Sequence, residues 1–215
     1  MIHDLSNARV SYERGELDID SVDADPFTQF GSWFSQAIEA QLLEPYAMTL
    51  ATVGGDGQPS ARVVLMRGWD DRGFVFFTNY ESQKGHELAH TPRAALLFFW
   101  AALERQVRID GGVERLSPSD SDAYFAQRPR GHRLSAWASH QSRVVPSRAA
   151  LEAEMKACDE RFGDGDVPRP DYWGGYRVKA ARFEFWQGRR NRVHDRIIYR
   201  RGSSTADWVI ERLSP

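Results

Sequence analysis

The sequence predicts a mainly β protein with accompanying helices, arranged as a barrel or a sandwich. Three observations indicate this α+β class. Short runs rich in β-branched and aromatic residues follow one another through the first half of the chain. Turn signals rich in Gly and Asp separate these runs at regular spacing. Helical patterns fill the middle of the chain, and strand-like stretches return near its end.

The first 24 residues are polar and mixed, and we expect an arm that orders only against another part of the protein. Residues 25–215 are expected to form a single domain, because no change in composition marks a linker. Asp25 and Pro26 predict the start of a helix, with Asp as N-cap and Pro in the first position. Glu44-Pro45 predicts the end of that helix.

The remaining elements follow from alternation, caps and turn residues. The predicted strands are Ala47–Val53, Ser60–Arg67, Phe74–Thr78, Ala94–Trp100, Gln106–Arg115, Tyr176–Lys179 and Trp208–Leu213. The further predicted helices run from Ser82 to Leu88, from Ser117 to about Arg128 and from Ser147 to Phe162. The last of these helices carries Cys158 on its apolar side, so we expect this cysteine in the core.

Composition excludes several classes of function. A net charge of −2 on 215 residues gives no global attraction to nucleic acid or anionic lipid. A single cysteine excludes an intrachain disulfide, and the six histidines lack the spacing of a metal site. No apolar run approaches the roughly 20 residues that span a bilayer, and the start of the sequence lacks the features of a signal peptide. We therefore expect a cytoplasmic protein with no metal, no membrane and no nucleic-acid partner.

One candidate anion site combines Arg62 and Arg67 with the segment Ser82–Gly85 at a predicted helix start. A helix N-terminus with free N–H groups, a serine and a lysine suits a phosphate. Ordinary surface charges are the alternative explanation. Neither a Walker loop nor a GxGxxG motif is present, so P-loop and dinucleotide-binding folds are not expected.

A second candidate is formed by Tyr124 and Arg128, four residues apart on one helix face, with Arg130 and His132 beyond. It could hold another anion, or Arg128 could simply face the carbonyls of the helix C-terminus. Amides near aromatic residues suggest a flat heterocycle as ligand, although the tryptophans also suit a core. This third set is Gln106, Gln141, Ser142, Trp100, Trp137 and Trp186.

The segment 185–196 carries the densest set of candidate groups. If a strand follows the Gly188 turn, its period of two places Arg192, His194 and Arg196 on one face. Three cationic or titratable groups on one face favour an anionic ligand between them, whereas a solvated edge strand gives the same pattern. A Ser-His-Asp triad is compatible with the composition but has no nucleophile-elbow motif.

Ten motifs occur together in a fixed order and resemble one family. They are Arg62–Arg67, Phe77–Asn79, Ser82–Gly85, Leu103–Val107, Tyr124–Arg130, Ala136–Ser142, Trp173–Arg177, Phe185–Gly188, Arg192–Arg196 and Glu211–Pro215. The ordered set, which extends from about Arg9 to the last residue, resembles the pyridoxamine/pyridoxine 5′-phosphate oxidases. The resemblance implies a split β-barrel homodimer with FMN at the subunit interface. It also implies oxidation of pyridoxamine or pyridoxine 5′-phosphate to pyridoxal 5′-phosphate, with O₂ reduced to H₂O₂.

The resemblance also implies roles for individual residues. The cofactor-binding residues would be Arg62, Val63, Val64, Leu65, Met66, Phe77, Thr78, Gln83, Lys84, Gln106, Gln141, Ser142, Trp186 and Arg196. The residues that bind the substrate phosphate would be Arg67, Tyr124, Arg128 and His132. The residues at the pyridine ring would be Arg192 and His194, which are the expected catalytic residues, with Arg9 and Tyr12 closing over it.

Three positions depart from the family pattern. Position 67 is commonly Lys and is Arg here, which keeps the charge but changes its reach and geometry. Gln83 stands where Arg can occur, and His132 stands where Ser is common. Two other functions stay open beside the expected one: an FMN oxidase of a tricyclic aromatic of the phenazine type, and a non-enzymatic module that binds flavin, pyridoxal phosphate or nucleic acid.

Overall fold

The structure is a computed structural model that describes residues 11–201 and 207–215. The expectation for Arg9 therefore lies outside the described residues. The chain divides into two compact units. Unit 1 contains the described residues up to Met48, together with 96–110 and 181–215, and unit 2 contains 49–95 and 111–180.

Strands and helices alternate much as the sequence predicts. The helices are α1 (Pro26–Glu39), α2 (Gln83–His90), α3 (Pro118–Ala126), α4 (Arg130–Ala138) and α5 (Arg148–Phe162). The strands are β1 (Ala47–Val53), β2 (Pro59–Leu65), β3 (Gly68–Asp70), β4 (Gly73–Asn79), β5 (Arg93–Trp100), β6 (Arg105–Arg115), β7 (Trp173–Gln187), β8 (Asp195–Arg201) and β9 (Trp208–Arg212). None of the helices in the described ranges is long and apolar enough to cross a membrane.

Within the described residues the strands form one sheet in the order β2-β1-β5-β6-β7-β4-β3. Strand β8 pairs with β7, and β9 pairs with β8. The pairings of β3 with β4, β4 with β7, β7 with β8 and β8 with β9 are all antiparallel. The predicted class of a mainly β protein with helices is therefore confirmed.

Unit 1 is organised around α1. The Asp25 side chain accepts a hydrogen bond from the Thr28 backbone N–H at 3.0 Å, so the predicted cap is present. The helix ends five residues earlier than predicted, and Gln41 and Glu44 adopt positive φ angles of 53° and 45° before β1. The helix buries Phe30 against Phe98 with a ring-centroid distance of 5.1 Å. Full burial of such a ring contributes about 1.5–3 kcal/mol.

Unit 2 contains one strand pair that carries much of its core. Phe74 and Phe76 of β4 are fully buried, and Tyr176 of β7 stacks on Phe76. The two glycines Gly174 and Gly175 lie inside β7 and do not mark a turn. A Cβ atom at Gly174 would lie 2.1 Å from the Tyr80 hydroxyl oxygen, so the strand needs glycine for close packing.

Helix α4 was missed by the sequence prediction. Pro129 occupies its N-cap position and offers no side-chain hydrogen bond to the first turn. The helix nevertheless buries Leu134, Ala136 and Ala138. Tertiary packing, more than any local signal, therefore stabilises this helix.

Two further predictions are wrong. Helix α5 has no buried residue, and Cys158 is only half-buried, so it is not a core position. The segment after Gly188 is not a strand: a 3-10 turn spans Arg190–Arg192, and β8 begins at Asp195. Arg196 alone of the three proposed face residues lies in a strand, because the left-handed backbone at Asn191 and Arg192 interrupts the alternation.

Candidate active site

Unit 2 contains a cavity of about 890 Å³. Fourteen of the residues that the resemblance singles out line it: Arg62, Val63, Val64, Leu65, Arg67, Phe77, Thr78, Gln83, Lys84, Tyr124, Arg128, His132, Gln141 and Ser142. Met66 is buried and does not line the cavity. Residues far apart in the sequence therefore meet here, and the charged ones form two groups.

The first cationic pole consists of Arg62 on β2 and Lys84 on α2. The Lys84 ammonium donates hydrogen bonds to Gln141 Oε1 at 2.9 Å and to Thr78 Oγ1 at 3.2 Å. Its side chain is buried, and burial lowers the pKa of Lys84 to about 8, with the charge of Arg62 acting in the same direction and Glu87 opposing it. This pole places two cationic side chains in the lining of the cavity.

The sequence predicts free backbone N–H groups at the N-terminus of α2, but two of these groups have side-chain partners in the structure. The Gln83 backbone N–H donates to Ser142 Oγ at 3.1 Å, and the Gly85 N–H donates to Ser82 Oγ at 3.3 Å. These two amides are therefore already satisfied by side chains. An anion in this part of the cavity would be held mainly by Arg62 and Lys84. Ser142 has a φ angle of 72°, a left-handed conformation that costs a non-glycine residue about 1–2 kcal/mol.

The second cationic pole consists of Arg67 and Arg128. The Arg128 guanidinium lies 4.5 Å from the centre of the Trp173 ring, and its Nη1 atom is buried without a hydrogen-bond partner among the described residues. Burial lowers the pKa of Arg128; nearby Tyr124 opposes this effect, and Arg67 adds to it. A buried N–H without a partner is costly, so this pole is suited to an anionic ligand that would complete it.

An aromatic wall is associated with the second pole. The Tyr124 ring stacks on Phe77 with centroids 3.8 Å apart and an interplanar angle of 10°. Trp173 lies parallel to both rings. Tyr124 and Arg128 do not share a helix face as predicted, because α3 ends at Ala126 and Arg128 lies beyond it, but both side chains line the same cavity. Trp173 was noted in the sequence only as part of a motif, although it forms the stacking surface for Arg128.

A second cluster of predicted residues lies in unit 1. The Tyr12 ring meets Trp186 edge-on at 5.8 Å and His194 at 5.7 Å. The Arg189 backbone N–H donates to His194 Nδ1 at 3.1 Å, so the neutral ring carries its proton on Nε2. Burial lowers the pKa of His194, the charge of Arg192 lowers it further, and Asp195 opposes both. His194 is therefore neutral at physiological pH, with Nε2–H as a hydrogen-bond donor.

The remaining predicted residues of unit 1 differ in their environment. Arg196 is held by Glu184 Oε1 at 2.9 Å and by the Ser214 carbonyl at 2.8 Å. Arg192 is exposed, has a φ angle of 62°, and makes no hydrogen bond or ion pair with the described residues. Gln106 is half-buried on β6.

Sequence reasoning did not single out Glu104 and Gly188 as residues that contact the arm. Their partners are distant in the sequence, so no local pattern indicates these contacts.

Known protein families match the chain over most of its length. Residues 34–162 match the family model described as "Pyridoxamine 5'-phosphate oxidase". Residues 173–215 match the model described as "Pyridoxine 5'-phosphate oxidase C-terminal dimerisation region". A pyridoxine/pyridoxamine 5'-phosphate oxidase of Burkholderia cenocepacia is 58% identical over 98% of this chain and 99% of its own. The corresponding protein of Burkholderia mallei is 56% identical over the same shares.

Solved structures agree with these matches. PhzG from Burkholderia lata, solved with tetrahydrophenazine-1-carboxylic acid, superposes with a TM-score of 0.85 at 33% identity, covering 94% of this chain and 100% of its own. A pyridoxamine 5'-phosphate oxidase-related FMN binding protein from Nostoc punctiforme shares the fold, with a TM-score of 0.70 at 16% identity, over 90% of this chain and 100% of its own. The fold is therefore the predicted split β-barrel, and the class is that of the split-barrel oxidoreductases. The chain belongs to the pyridoxamine 5′-phosphate oxidase family.

Proposed function

We propose that this protein oxidises pyridoxamine 5′-phosphate and pyridoxine 5′-phosphate to pyridoxal 5′-phosphate, with FMN as cofactor and O₂ reduced to H₂O₂. The observation that carries the proposal is the presence of two separate cationic poles in one cavity. FMN and the substrate each bring one phosphate, and each pole offers charge-assisted hydrogen bonds to one of them. The family membership and the 58% identity to a curated oxidase of this kind support the same function.

The residues of the first pole fit the FMN phosphate. Arg62 and Lys84 would hold it, with Gln83, Gln141 and Ser142 as neutral neighbours in the cavity lining. Bound FMN supplies the acceptance of a hydride and the reaction with oxygen. The residues 63–65 and Phe77, which line the cavity between polar groups, would border the flavin ring. The protein's own contribution is placement of the two ligands.

The second pole would bind the substrate phosphate. Arg128 offers an Nη1–H that has no partner in the part of the chain that the structure describes, and Arg67 and His132 line the same cavity. Two charge-assisted hydrogen bonds at about 1.5–3 kcal/mol each are enough to anchor a small substrate. An anchor remote from the reacting carbon leaves the ring to be oriented by other contacts. Arg67 and His132, which depart from the family pattern, are both residues that can bind an anion in this part of the cavity.

Residues of unit 1 would act on the substrate ring. His194, neutral and with a donor at Nε2, would hydrogen-bond an acceptor on the ring, and Arg192 would contact the ring with its free guanidinium. Trp186 and Arg196 would contribute to the flavin site, and Tyr12 would close over the substrate. All of these except Tyr12 lie within the segment that matches the dimerisation region, which supports a homodimer with FMN at the subunit interface.

A substrate panel tests the proposal. The purified protein, loaded with FMN, is expected to release H₂O₂ with pyridoxamine and pyridoxine 5′-phosphates and far less with the unphosphorylated compounds. A tricyclic carboxylic acid is the competing substrate class, because PhzG was solved with tetrahydrophenazine-1-carboxylic acid. Faster peroxide release with such an acid would replace the proposal by the phenazine-type alternative. Tight ligand binding without peroxide release would favour a non-enzymatic role.

The substitution Arg128→Ala tests the second pole directly. It removes the guanidinium that lies on Trp173, so we expect KM for the phosphorylated substrate to rise about tenfold or more, since one charge-assisted hydrogen bond is lost. Initial rates of peroxide release at varied substrate concentration measure the effect. Arg143→Ala is the matched control, because Arg143 pairs with Glu81 and does not line the cavity. An unchanged KM in Arg128→Ala would remove Arg128 from the phosphate site.

A further inference from the structure

Glu87 is a carboxylate with an unusual number of donors. It lies on α2, is 8% exposed, and accepts hydrogen bonds from the hydroxyl groups of Thr52 at 2.5 Å and Ser60 at 2.8 Å. The Gln83 side-chain amide donates to it at 2.9 Å. Arg62 forms an ion pair with it at 3.1 Å. Donors from β1, β2 and α2 thus converge on a group that does not line the cavity.

These contacts fix the Arg62 guanidinium. One terminal nitrogen donates to the Leu50 carbonyl at 3.1 Å and to the Thr52 hydroxyl, and the other donates to Ser60 and Glu87. Only 19% of the Arg62 side chain is exposed. A planar group held through both nitrogens has little rotational freedom left. The cation that lines the cavity is therefore oriented before any ligand arrives.

Glu87 also acts on the charge of Lys84. Among the described residues, the charged groups that influence Lys84 are Arg62 from β2 and Glu87 from its own helix, while Thr78, Ser82 and Gln141 are neutral. Two cations that are close together and poorly solvated favour loss of a proton from the lysine. Glu87 is the counter-charge that opposes this loss. Burial favours the neutral form of Glu87, but the hydrogen bonds from Thr52, Ser60 and Gln83 outweigh it and bring the pKa of Glu87 down to about 2.

We propose that Glu87 is the positioning residue of the first cationic pole: it fixes Arg62 and keeps Lys84 protonated, so that the pole presents two cations to a phosphate at neutral pH. The inference rests on the proposed function, in which this phosphate belongs to FMN. Glu87 does not line the cavity and its charge is paired with Arg62, so a phosphate in the cavity would face the two cations and not the carboxylate.

The test compares FMN with riboflavin, which lacks the phosphate. Titrations of the flavin-free protein, followed by flavin fluorescence, give both dissociation constants from about pH 6 to about pH 9. For Glu87→Gln we expect the dissociation constant of FMN to rise about tenfold or more at neutral pH, and that of riboflavin to change less than about threefold. The pH at which FMN affinity begins to fall should move down by about one unit, because Lys84 loses its counter-charge.

Asp70→Asn is the matched control, because Asp70 holds the buried Arg177 in unit 2 and lies outside the cavity. It is expected to leave the FMN-to-riboflavin ratio and the pH profile unchanged. If Glu87→Gln fails to fold, as judged by circular dichroism, Thr52→Val provides the comparison in milder form, because it removes a donor to Glu87 at a residue that does not line the cavity. Equal loss of FMN and riboflavin affinity, or an unshifted pH profile, would overturn the proposal.

The measurements distinguish a failure of the role proposed for Glu87 from a failure of the proposed function. A wild-type protein that binds FMN but does not oxidise B6 phosphates would refute the proposed substrate and leave the role of Glu87 standing on the affinity ratio. A wild-type protein that oxidises B6 phosphates, with Glu87→Gln indistinguishable from it in both titrations, would refute the role of Glu87 alone. Absence of FMN binding in the wild type would refute both.

Discussion

Arg192 holds a left-handed backbone and an exposed guanidinium without a partner among the described residues. The backbone conformation costs about 1–2 kcal/mol, and no hydrogen bond or ion pair between the side chain and a described residue offsets that cost. Neighbouring arginines differ: Arg189 pairs with Glu16, and Arg190 pairs with Glu13. A residue that is strained and unpaired is a good candidate for contact with a ligand.

Arg192→Ala should therefore separate activity from stability. We expect turnover with pyridoxamine 5′-phosphate to fall at least about tenfold, because a charged contact to the substrate is lost. The thermal midpoint should stay unchanged, because no described contact is removed. Peroxide assays and thermal denaturation measure the two quantities. Arg200→Ala, which removes an exposed ion pair with Glu211, is the control; a similar loss of turnover in both variants would contradict the prediction.

Lys84 gives the cofactor site a defined pH dependence. Its pKa of about 8 in the ligand-free protein means that the ammonium is charged below that pH and neutral above it. Affinity for a phosphate ligand should be nearly constant between about pH 7, above the second pKa of the phosphate, and about pH 8, and should fall as the pH rises further, since the ligand binds the protonated form of Lys84. FMN titrations at several pH values measure this decline. Lys84→Met should bind FMN more weakly and show a flatter profile, whereas a decline of equal steepness would assign it to another group.

At the scale of the element, several side chains dock the arm, and a buried carboxylate and a glycine are the ones next to Tyr12. Glu104 accepts the backbone N–H groups of Glu13 and Arg14 at 2.8 and 2.9 Å. A Cβ atom at Gly188 would lie 2.8 Å from Tyr12 Cγ, so the Tyr12 ring needs the space that glycine leaves. These contacts hold Tyr12 against Trp186 and His194.

Gly188→Ala is expected to displace this part of the arm. Limited proteolysis should cut the segment around residues 11–18 faster, and KM for the substrate should rise if Tyr12 closes the site. Ser11→Ala is the control within the arm, because the Ser11 hydroxyl makes an exposed hydrogen bond to Glu13 at 3.0 Å and leaves the space around the Tyr12 ring unchanged. Equal protease resistance of Gly188→Ala and the wild type would show that Tyr12 can shift without loss of docking.

The elements that the sequence predicted well are those with local signals. The Asp25-Pro26 start of α1 and the Ser147 start of α5 were correct because each cap hydrogen bond joins residues three apart. Helix α4 begins without such a bond and could not be read locally. The alternation of Arg192, His194 and Arg196 failed because left-handed residues interrupt it, and alternation in a sequence does not report φ. Glu87 was missed because its donors Thr52 and Ser60 lie on strands distant in sequence.

At the scale of the molecule, the two poles, the aromatic wall and the arm cluster are each assembled within one compact unit. The ordered motifs predicted membership of these groups better than any single spacing did. The fourteen lining residues come from five separate stretches of unit 2, so only the ordered set could relate them. The motifs did not predict which side chains would be fixed by hydrogen bonds, such as Arg62, and which would lack a hydrogen-bond partner among the described residues, such as Arg128 at Nη1.

The stability of the whole protein should depend on acid through Glu87. Its folded pKa of about 2 is lower than the usual value of 4.5, so its contribution is present above pH 4.5 and disappears as the pH falls toward 2. A shift of this size corresponds to a contribution on the order of 3 kcal/mol. Thermal midpoints of the wild type and Glu87→Gln should differ near neutral pH and converge in acid. A constant difference down to pH 2.5 would contradict the assignment.

The buried Nη1 atom of Arg128 has no hydrogen-bond partner among the described residues, and this unsatisfied donor lowers the stability of the ligand-free protein. Methionine at this position would fill similar space beside Trp173 with no unsatisfied donor, so Arg128→Met should raise the melting temperature of the ligand-free protein. The same change should abolish the additional stabilisation that a phosphorylated ligand confers on the wild type by binding only the folded state. On this expectation Arg128 trades free energy of folding for readiness to bind an anion, and the protein should be most stable when its ligands are present.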